Sequence, residues 1–178
     1  YNNLEIVKNK KENVILVTHK VLDFTINFLA SILTNKNIYL VDDIRKIKNV
    51  ADFDILTNAN YDINEQTTTF PKTNEDKILI HLMTSGSSGE VKDIIKSLTN
   101  LIEEARDINK TFNFGTEQLV ISSTTTCSHL FGLTFGFMFP ICNHHIIDTN
   151  TVEYPDKFDT KNGVLVSTPS FLDTIKKN

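Results

Sequence analysis

The amino-acid sequence predicts an α/β fold built on a mostly parallel sheet flanked by helices. Three observations carry this expectation. Short apolar runs rich in Val, Ile and Leu alternate with segments of helical periodicity. The first three of these segments form a β-α-β unit, which normally joins parallel strands by a right-handed crossover. The alternation continues past that unit, with the helical spacing after residue 97 leading into a further strand over 119–122. At 178 residues and 40% hydrophobic content, the chain has enough apolar material for a core of ordinary size.

The elements follow in order. Residues 13–17 (NVILV) read as a strand. Val21, Phe24, Thr25, Phe28, Leu29 and Ile32 recur at helical spacing and predict a helix over 21–33. Residues 38–41 give the next strand, 42–50 a short charged helix or turn, and Ile55-Leu56 a brief strand. The stretch 58–75, rich in Asn and Thr and containing Pro71, reads as a loop or linker. Residues 78–83 form an apolar strand and 93–95 a second short one, so the intervening turn connects two strands. Ser97 is positioned to cap a helix in which Leu98, Leu101, Ile102, Ala105 and Ile108 share one face. Glu103, Glu104 and Arg106 occupy its solvated side, so the two glutamates are not an acid–base dyad. A strand over 119–122, an apolar helix over 130–138 and strands at 146–147 and 164–166 follow. Pro169 suits the first turn of a last helix. The chain divides into a β-α-β start (1–57), a linker (58–76) and a region carrying the remaining motifs (77–178).

Bulk properties exclude several classes. With 18 basic and 22 acidic residues intermixed, and a formal charge of −4, there is no basic stripe for nucleic acid. No apolar run of about 18 residues argues for a membrane span, and no signal peptide is visible, so a cytoplasmic location is expected. Cys127 and Cys142 make no disulfide framework, and Cys127 reads as an ordinary buried thiol. His144-His145 lacks companions at ligand spacing, and neighbours on a strand face opposite ways, so no metal site is expected there.

The chemistry concentrates in Thr84-Ser85-Gly86-Ser87-Ser88-Gly89-Glu90-Val91-Lys92. Glycines let backbone N–H groups approach an anion closely, and successive N–H groups in a tight turn form an anion-binding concavity. The hydroxyls of Thr84, Ser85, Ser87 and Ser88 add donors, and Lys92 adds a mobile positive charge. The spacing is wrong for a Walker loop, which needs four residues between its first Gly and the Gly-Lys-Ser/Thr that follows. It is also wrong for the dinucleotide fingerprint, which needs three glycines.

This segment resembles the Thr-Ser-Gly-Ser-Thr/Ser-Gly-x-Pro-Lys signature of the adenylate-forming (AMP-binding) superfamily, with Val91 in place of proline. Further segments recur in the family's order: His129-Leu130-Phe131-Gly132-Leu133 opening an apolar helix, and Val166-Ser167-Thr168-Pro169-Ser170-Phe171-Leu172 opening another. The resemblance covers most of the chain. The stretch Gly89-Glu90-Val91-Lys92 with Lys96 looks most like a divergent bacterial branch of acyl-CoA synthetase-like ligases associated with aryl polyene or fatty-acid biosynthesis. The resemblance implies the incomplete N-terminal portion of the family's large domain, with the adenine loop, ribose-binding acid and C-terminal domain lying downstream.

The resemblance implies an ATP-dependent acid–thiol ligase working through an acyl-adenylate, the fragment alone being inactive. The cofactors implied are ATP and Mg²⁺, with coenzyme A or phosphopantetheine as acyl acceptor. The partners are a small carboxylic acid and an acyl carrier protein. Ser85, Gly86, Ser87, Ser88 and Gly89 would bind the β- and γ-phosphates. Thr84 would lie near the α-phosphate or metal shell, and Lys92 would neutralise the leaving group. His129 is either a pocket residue beside the carboxylate or a helix-start histidine. Phe131, Phe135 and Phe137 either line the acyl pocket or fill the core. Asp93, where the family has glycine, places a negative charge beside Lys92 and motivates an alternative, a non-catalytic nucleotide-binding or scaffold module.

Overall fold

The computed structural model describes residues 6–59, 72–85, 91–114, 117–150 and 163–175. The chain divides into two compact units, residues 1–99 and 100–178.

The first unit holds a sheet of strands β1 (Asn13–Leu16), β2 (Asn37–Leu40), β3 (Asp54–Leu56), β4 (Leu79–Ser85) and β5 (Val91–Ser97), in the order β3-β1-β2-β4-β5. β1 to β4 run parallel, and β5 returns antiparallel to β4. β1 and β2 are joined by helix α1 (Val21–Leu33), the expected β-α-β unit. Val14, Leu16, Ile38, Leu40, Ile80 and Leu82 are all buried, together with Phe24 and Phe28 of α1. These residues alternate along their strands, so they share one face of the sheet.

α1 ends where an asparagine permits it to. Asn35 takes a left-handed backbone (φ 55), its N–H reaches Ile32 O, and Lys36 N–H reaches Ser31 O. This is the paired-bond helix stop usually made with glycine. The buried stripe of α1 differs from the expected one. Leu29 is exposed, whereas Asp23, Asn27 and Ser31 are buried. Asn27 donates to Thr57 O and Asp23 accepts from Ala59 N–H. Asp23 and Asn27 thus pair backbone groups of the chain leaving β3, and the Ser31 hydroxyl donates to Asn27 O within the helix. The expected charged turn over 42–50 is two 3₁₀ turns, Ile44–Lys46 and Val50–Asp52.

Helix α2 (Leu98–Phe112) starts directly after β5. In the second unit, three parallel strands, β6 (Val120–Ser123), β7 (Ile146–Ile147) and β8 (Gly163–Val166), pair in the order β7-β6-β8. The parallel strands of the chain are thus distributed over two sheets. The apolar helix expected over 130–138 continues to Cys142. It consists of a π-helical stretch, Gly132–Met138, running into α3 (Phe139–Cys142). The widened turn is seen in the Phe139 N–H bond to Thr134 O, five residues back. Helix α4 (Pro169–Ile175) starts at the expected proline. The second core contains Ile121, Phe139 and Val166.

Candidate functional site

Parallel pairing of β1 to β4 sends all four carboxyl ends to one edge of the first sheet. Ligands of open α/β sheets bind outside that edge. The predicted phosphate loop leaves β4 there. β4 and β5 form a hairpin whose last pairs are Thr84 with Lys92 and Ser85 with Val91. The expected second strand over 93–95 extends over Val91–Ser97, so Lys92 is a strand residue rather than part of a loose turn. Gly86, Ser87, Ser88 and Gly89 lie outside the described residues, as does the side chain of Ser85.

Strand alternation sorts the residues at the base of this loop onto two faces. Thr84 and Lys92 are cross-strand neighbours on one face, together with Leu82 and Ile94. Lys92 is exposed and Thr84 half-buried, with its hydroxyl 3.5 Å from Lys92 O. His81, Met83 and Asp93 belong to the other face. There the Asp93 carboxylate lies 2.8 Å from His81 Nδ1, and the His81 ring stacks on Tyr39 at 4.0 Å between centroids. The expectation that Asp93 sets its charge beside Lys92 is therefore corrected. Adjacent strand residues point apart, and Asp93 is occupied by a histidine that the sequence reading did not single out. The signal was present: His81 interrupts an apolar strand with a polar ring, and such a ring needs a partner when buried. The Tyr39 hydroxyl is pushed up in pKa by burial and, secondarily, by the charge of Asp93.

In the second unit, the segment after β6 is a run of hydroxyls tied to itself. Ser123 Oγ donates to Thr125 O, and Thr126 and Ser128 hydroxyls lie 2.7 Å apart. Thr124 Oγ1 donates to Ser167 Oγ beyond β8. His129 follows, exposed, at the start of the π-helical segment. Its N–H bonds to Thr126 O and its carbonyl accepts from Leu133 N–H. The helix approaches this turn very closely at Gly132, where an added Cβ would lie 2.1 Å from Thr126 O.

The three phenylalanines separate. Phe137 is fully buried in the core. Phe131 and Phe135, with ring centroids 4.9 Å apart, line an apolar cleft of about 330 Å³ together with Phe112, Phe114, Phe139 and Val166. Cys127 is buried, its thiol pushed up to about 12 by desolvation, as an ordinary core thiol should be. His144 and His145 lie in a turn before β7 rather than on a strand, with His144 left-handed (φ 61), so the strand argument about them is corrected. His145 packs on Phe139, and its pKa is lowered by burial and by the neighbouring His144. Among the described residues, no three His, Cys, Asp or Glu side chains come together to hold a metal. Among the same residues, no helix is long and apolar enough to cross a membrane.

No protein-family profile and no curated protein matches the chain. Solved structures do. Apo MatB from Rhodopseudomonas palustris matches 99% of this chain with a TM-score of 0.72 at 13% identity. The ATP-bound form of MatB matches at 0.70 and 15% identity. A benzoate CoA ligase from Burkholderia xenovorans LB400 matches 97% of the chain at 0.63 and 11% identity. A fatty acyl-adenylate ligase from L. pneumophila, in complex with acyl adenylate and pyrophosphate, matches 99% at 0.59 and 14% identity. The chain spans 43%, 43%, 39% and 35% of these proteins, well under half of each. Over the portion it spans, the chain has the fold of the adenylate-forming ligases.

Proposed function

We propose that the chain belongs to an ATP-dependent acid–thiol ligase and supplies its phosphate-binding hairpin and part of its acyl-binding region. The observation that carries this reading is the β4–β5 hairpin. It sets Thr84 opposite Lys92 on one face at the binding edge of a parallel sheet, flanking a connection made of Gly86, Ser87, Ser88, Gly89 and Glu90. An ATP-bound neighbour and one complexed with an acyl adenylate share the fold and support the reading.

The chemistry asked of the site is electrostatic. A carboxylate must approach a polyanion, and negative charge builds on the departing pyrophosphate as the acid is joined to AMP. Backbone N–H groups and hydroxyls of residues 85–89 stabilise the β- and γ-phosphates, and Lys92 offsets the charge on the leaving group. Mg²⁺ fits a donor set of hydroxyls around phosphates. Thr84 would contribute to its shell, and the metal would supply charge neutralisation of the triphosphate. His129 sits exposed at the head of the helix whose Phe131 and Phe135 line the apolar cleft, which suits contact with the carboxylate end of an acyl group. The acceptor is a thiol, from coenzyme A or a carrier-protein phosphopantetheine. A structurally similar A-PCP protein, McyG, complexed with phenylalanyl-adenylate, favours a carrier-protein partner.

The non-catalytic alternative loses one of its motives, because Asp93 is engaged by His81 on the face away from Lys92. ATP–pyrophosphate exchange by the protein at its natural length tests the ligase reading. Lys92→Ala removes a charge-assisted phosphate contact of about 1.5–3 kcal/mol, a loss of roughly ten- to a hundredfold in exchange. Full exchange in that variant removes Lys92 from the scheme. Absence of exchange in the wild type, with every tested acid, removes the ligase reading.

A further inference from the structure

We propose that the His81–Asp93 pair is a positioning latch for Lys92. β5 is weakly anchored by burial over its first part: Val91, Lys92, Asp93, Ile94 and Ile95 are all exposed. Backbone pairing holds this stretch to β4, but the pairing of β4 with β2 ends at Leu82, so Asp93, Lys92 and Val91 lie where only two strands pair, and such a ribbon is marginal on its own. The Asp93–His81 contact, at 2.8 Å, fixes it from the side. His81 is itself immobilised. It is 7% exposed, stacks nearly flat (8°) on Tyr39, and Tyr39 in turn meets Phe53 edge-on at 4.7 Å. A chain of packed rings thus runs from the turn before β3, through β2 and β4, to the carboxylate on β5.

Asp93 and Lys92 share a peptide unit and point to opposite faces. Holding Asp93 down on one face fixes the twist of β5 at that point and thereby the direction in which the ammonium of Lys92 leaves the other face. Neither His81 nor Asp93 touches the phosphates in this scheme. They act through Lys92, and the proposal rests on the reading of the hairpin as a triphosphate site.

The test uses Asp93→Ala and the isosteric Asp93→Asn in the natural-length protein, each in wild-type and Lys92→Ala backgrounds. ATP–pyrophosphate exchange should fall about tenfold in Asp93→Ala, the lower end expected for a partly exposed charged hydrogen bond. Asp93→Asn, which can still pair with the His81 ring, should retain exchange within about threefold. In the Lys92→Ala background Asp93→Ala should have no further effect, whereas a general loss of structure would lower exchange equally in both backgrounds and overturn the latch. Amide hydrogen exchange at Thr84 and Lys92 gives a second readout that needs no ATP. It should accelerate about tenfold in Asp93→Ala, and unchanged rates there would also overturn the latch. If wild-type exchange is absent while the amides respond, the triphosphate reading has failed and the mechanical coupling alone stands. If exchange is present and neither readout responds to Asp93, the latch has failed and the triphosphate reading stands.

Discussion

Gly132→Ala should destabilise the second unit, and its neighbour in the same helix, Gly136→Ala, should not. At Gly132 an added methyl would lie 2.1 Å from Thr126 O, 2.8 Å from Thr126 C and 2.9 Å from Thr125 Oγ1. Comfortable contact needs about 3.5 Å, so helix and turn must separate by roughly 1 Å or more. The obstacle is backbone and cannot rotate away. Overpacking of this kind costs about 1–3 kcal/mol. Moving Thr126 also strains the bond that its carbonyl accepts from His129 N–H, at 3.2 Å, worth about 1 kcal/mol more. Replacing glycine by alanine within a helix returns about 1 kcal/mol. The net loss is about 2 kcal/mol. At Gly136 the nearest atoms are Ser123 Oγ at 3.2 Å and Cβ at 3.3 Å, a side chain that needs to yield by only a few tenths of an ångström. There the helix gain and the crowding nearly cancel, leaving a change within about 1 kcal/mol of zero. Urea unfolding should lower the midpoint of Gly132→Ala by about 1 M, at an unchanged slope near 2 kcal/mol/M, and leave Gly136→Ala close to wild type. A Gly132→Ala midpoint equal to wild type, or a larger loss at Gly136, would refute the close-approach reasoning.

Four further outcomes follow from the same structure. Phe137→Ala empties a fully buried site and should cost about 3–5 kcal/mol by denaturation. Phe131→Ala, at a position 43% exposed on the cleft rim, should cost little stability and instead change the KM for the acid in exchange assays. Cys127, whose thiol is raised from 9.0 to about 12, should react with iodoacetamide at pH 8 about a thousandfold more slowly in the native than in the unfolded protein, read by mass spectrometry. Asp43 is lowered from 3.8 to about 2, chiefly by the Arg45 side chain, so whatever it contributes to stability is present above about pH 4 and vanishes as pH falls through 2. Urea midpoints of wild type and Asp43→Asn should therefore converge below pH 2, and a gap that widens on acidification would contradict the assignment.

The order of elements was legible because each rests on local chemistry. Alternating apolar runs marked β1, β2, β4 and β6, and helical spacing marked α1 and α2. Pro169 marked the start of α4, since proline suits a position whose N–H has no helical partner. The stripe of α1 was misread because Asp23, Asn27 and Ser31 are polar yet buried: Asn27 and Asp23 find partners remote in sequence, Thr57 and Ala59, and Ser31 bonds back to Asn27 O within the helix. The extent of β5 was underestimated because the residues added at its ends, Val91, Lys92, Lys96 and Ser97, are mostly polar and carry no apolar alternation. The π-helical widening of residues 132–138 has no simple composition signal; within it Gly132 packs on the turn after β6 and Gly136 on Ser123 at the end of β6.

By itself the sequence determined the alternation of strands and helices and the chemical character of the turn after β4, because glycine, hydroxyl and lysine content act over a few residues. It also determined that turn's likeness to one kind of nucleotide loop. Only the tertiary structure decided which face of the hairpin each side chain serves. Strand register and the long-range pairing of His81 with Asp93 set Lys92 and Asp93 apart, although they are neighbours in the chain. The physical reason is that a side chain's direction follows from the pleat and the partner strand, and neither can be read from one segment alone.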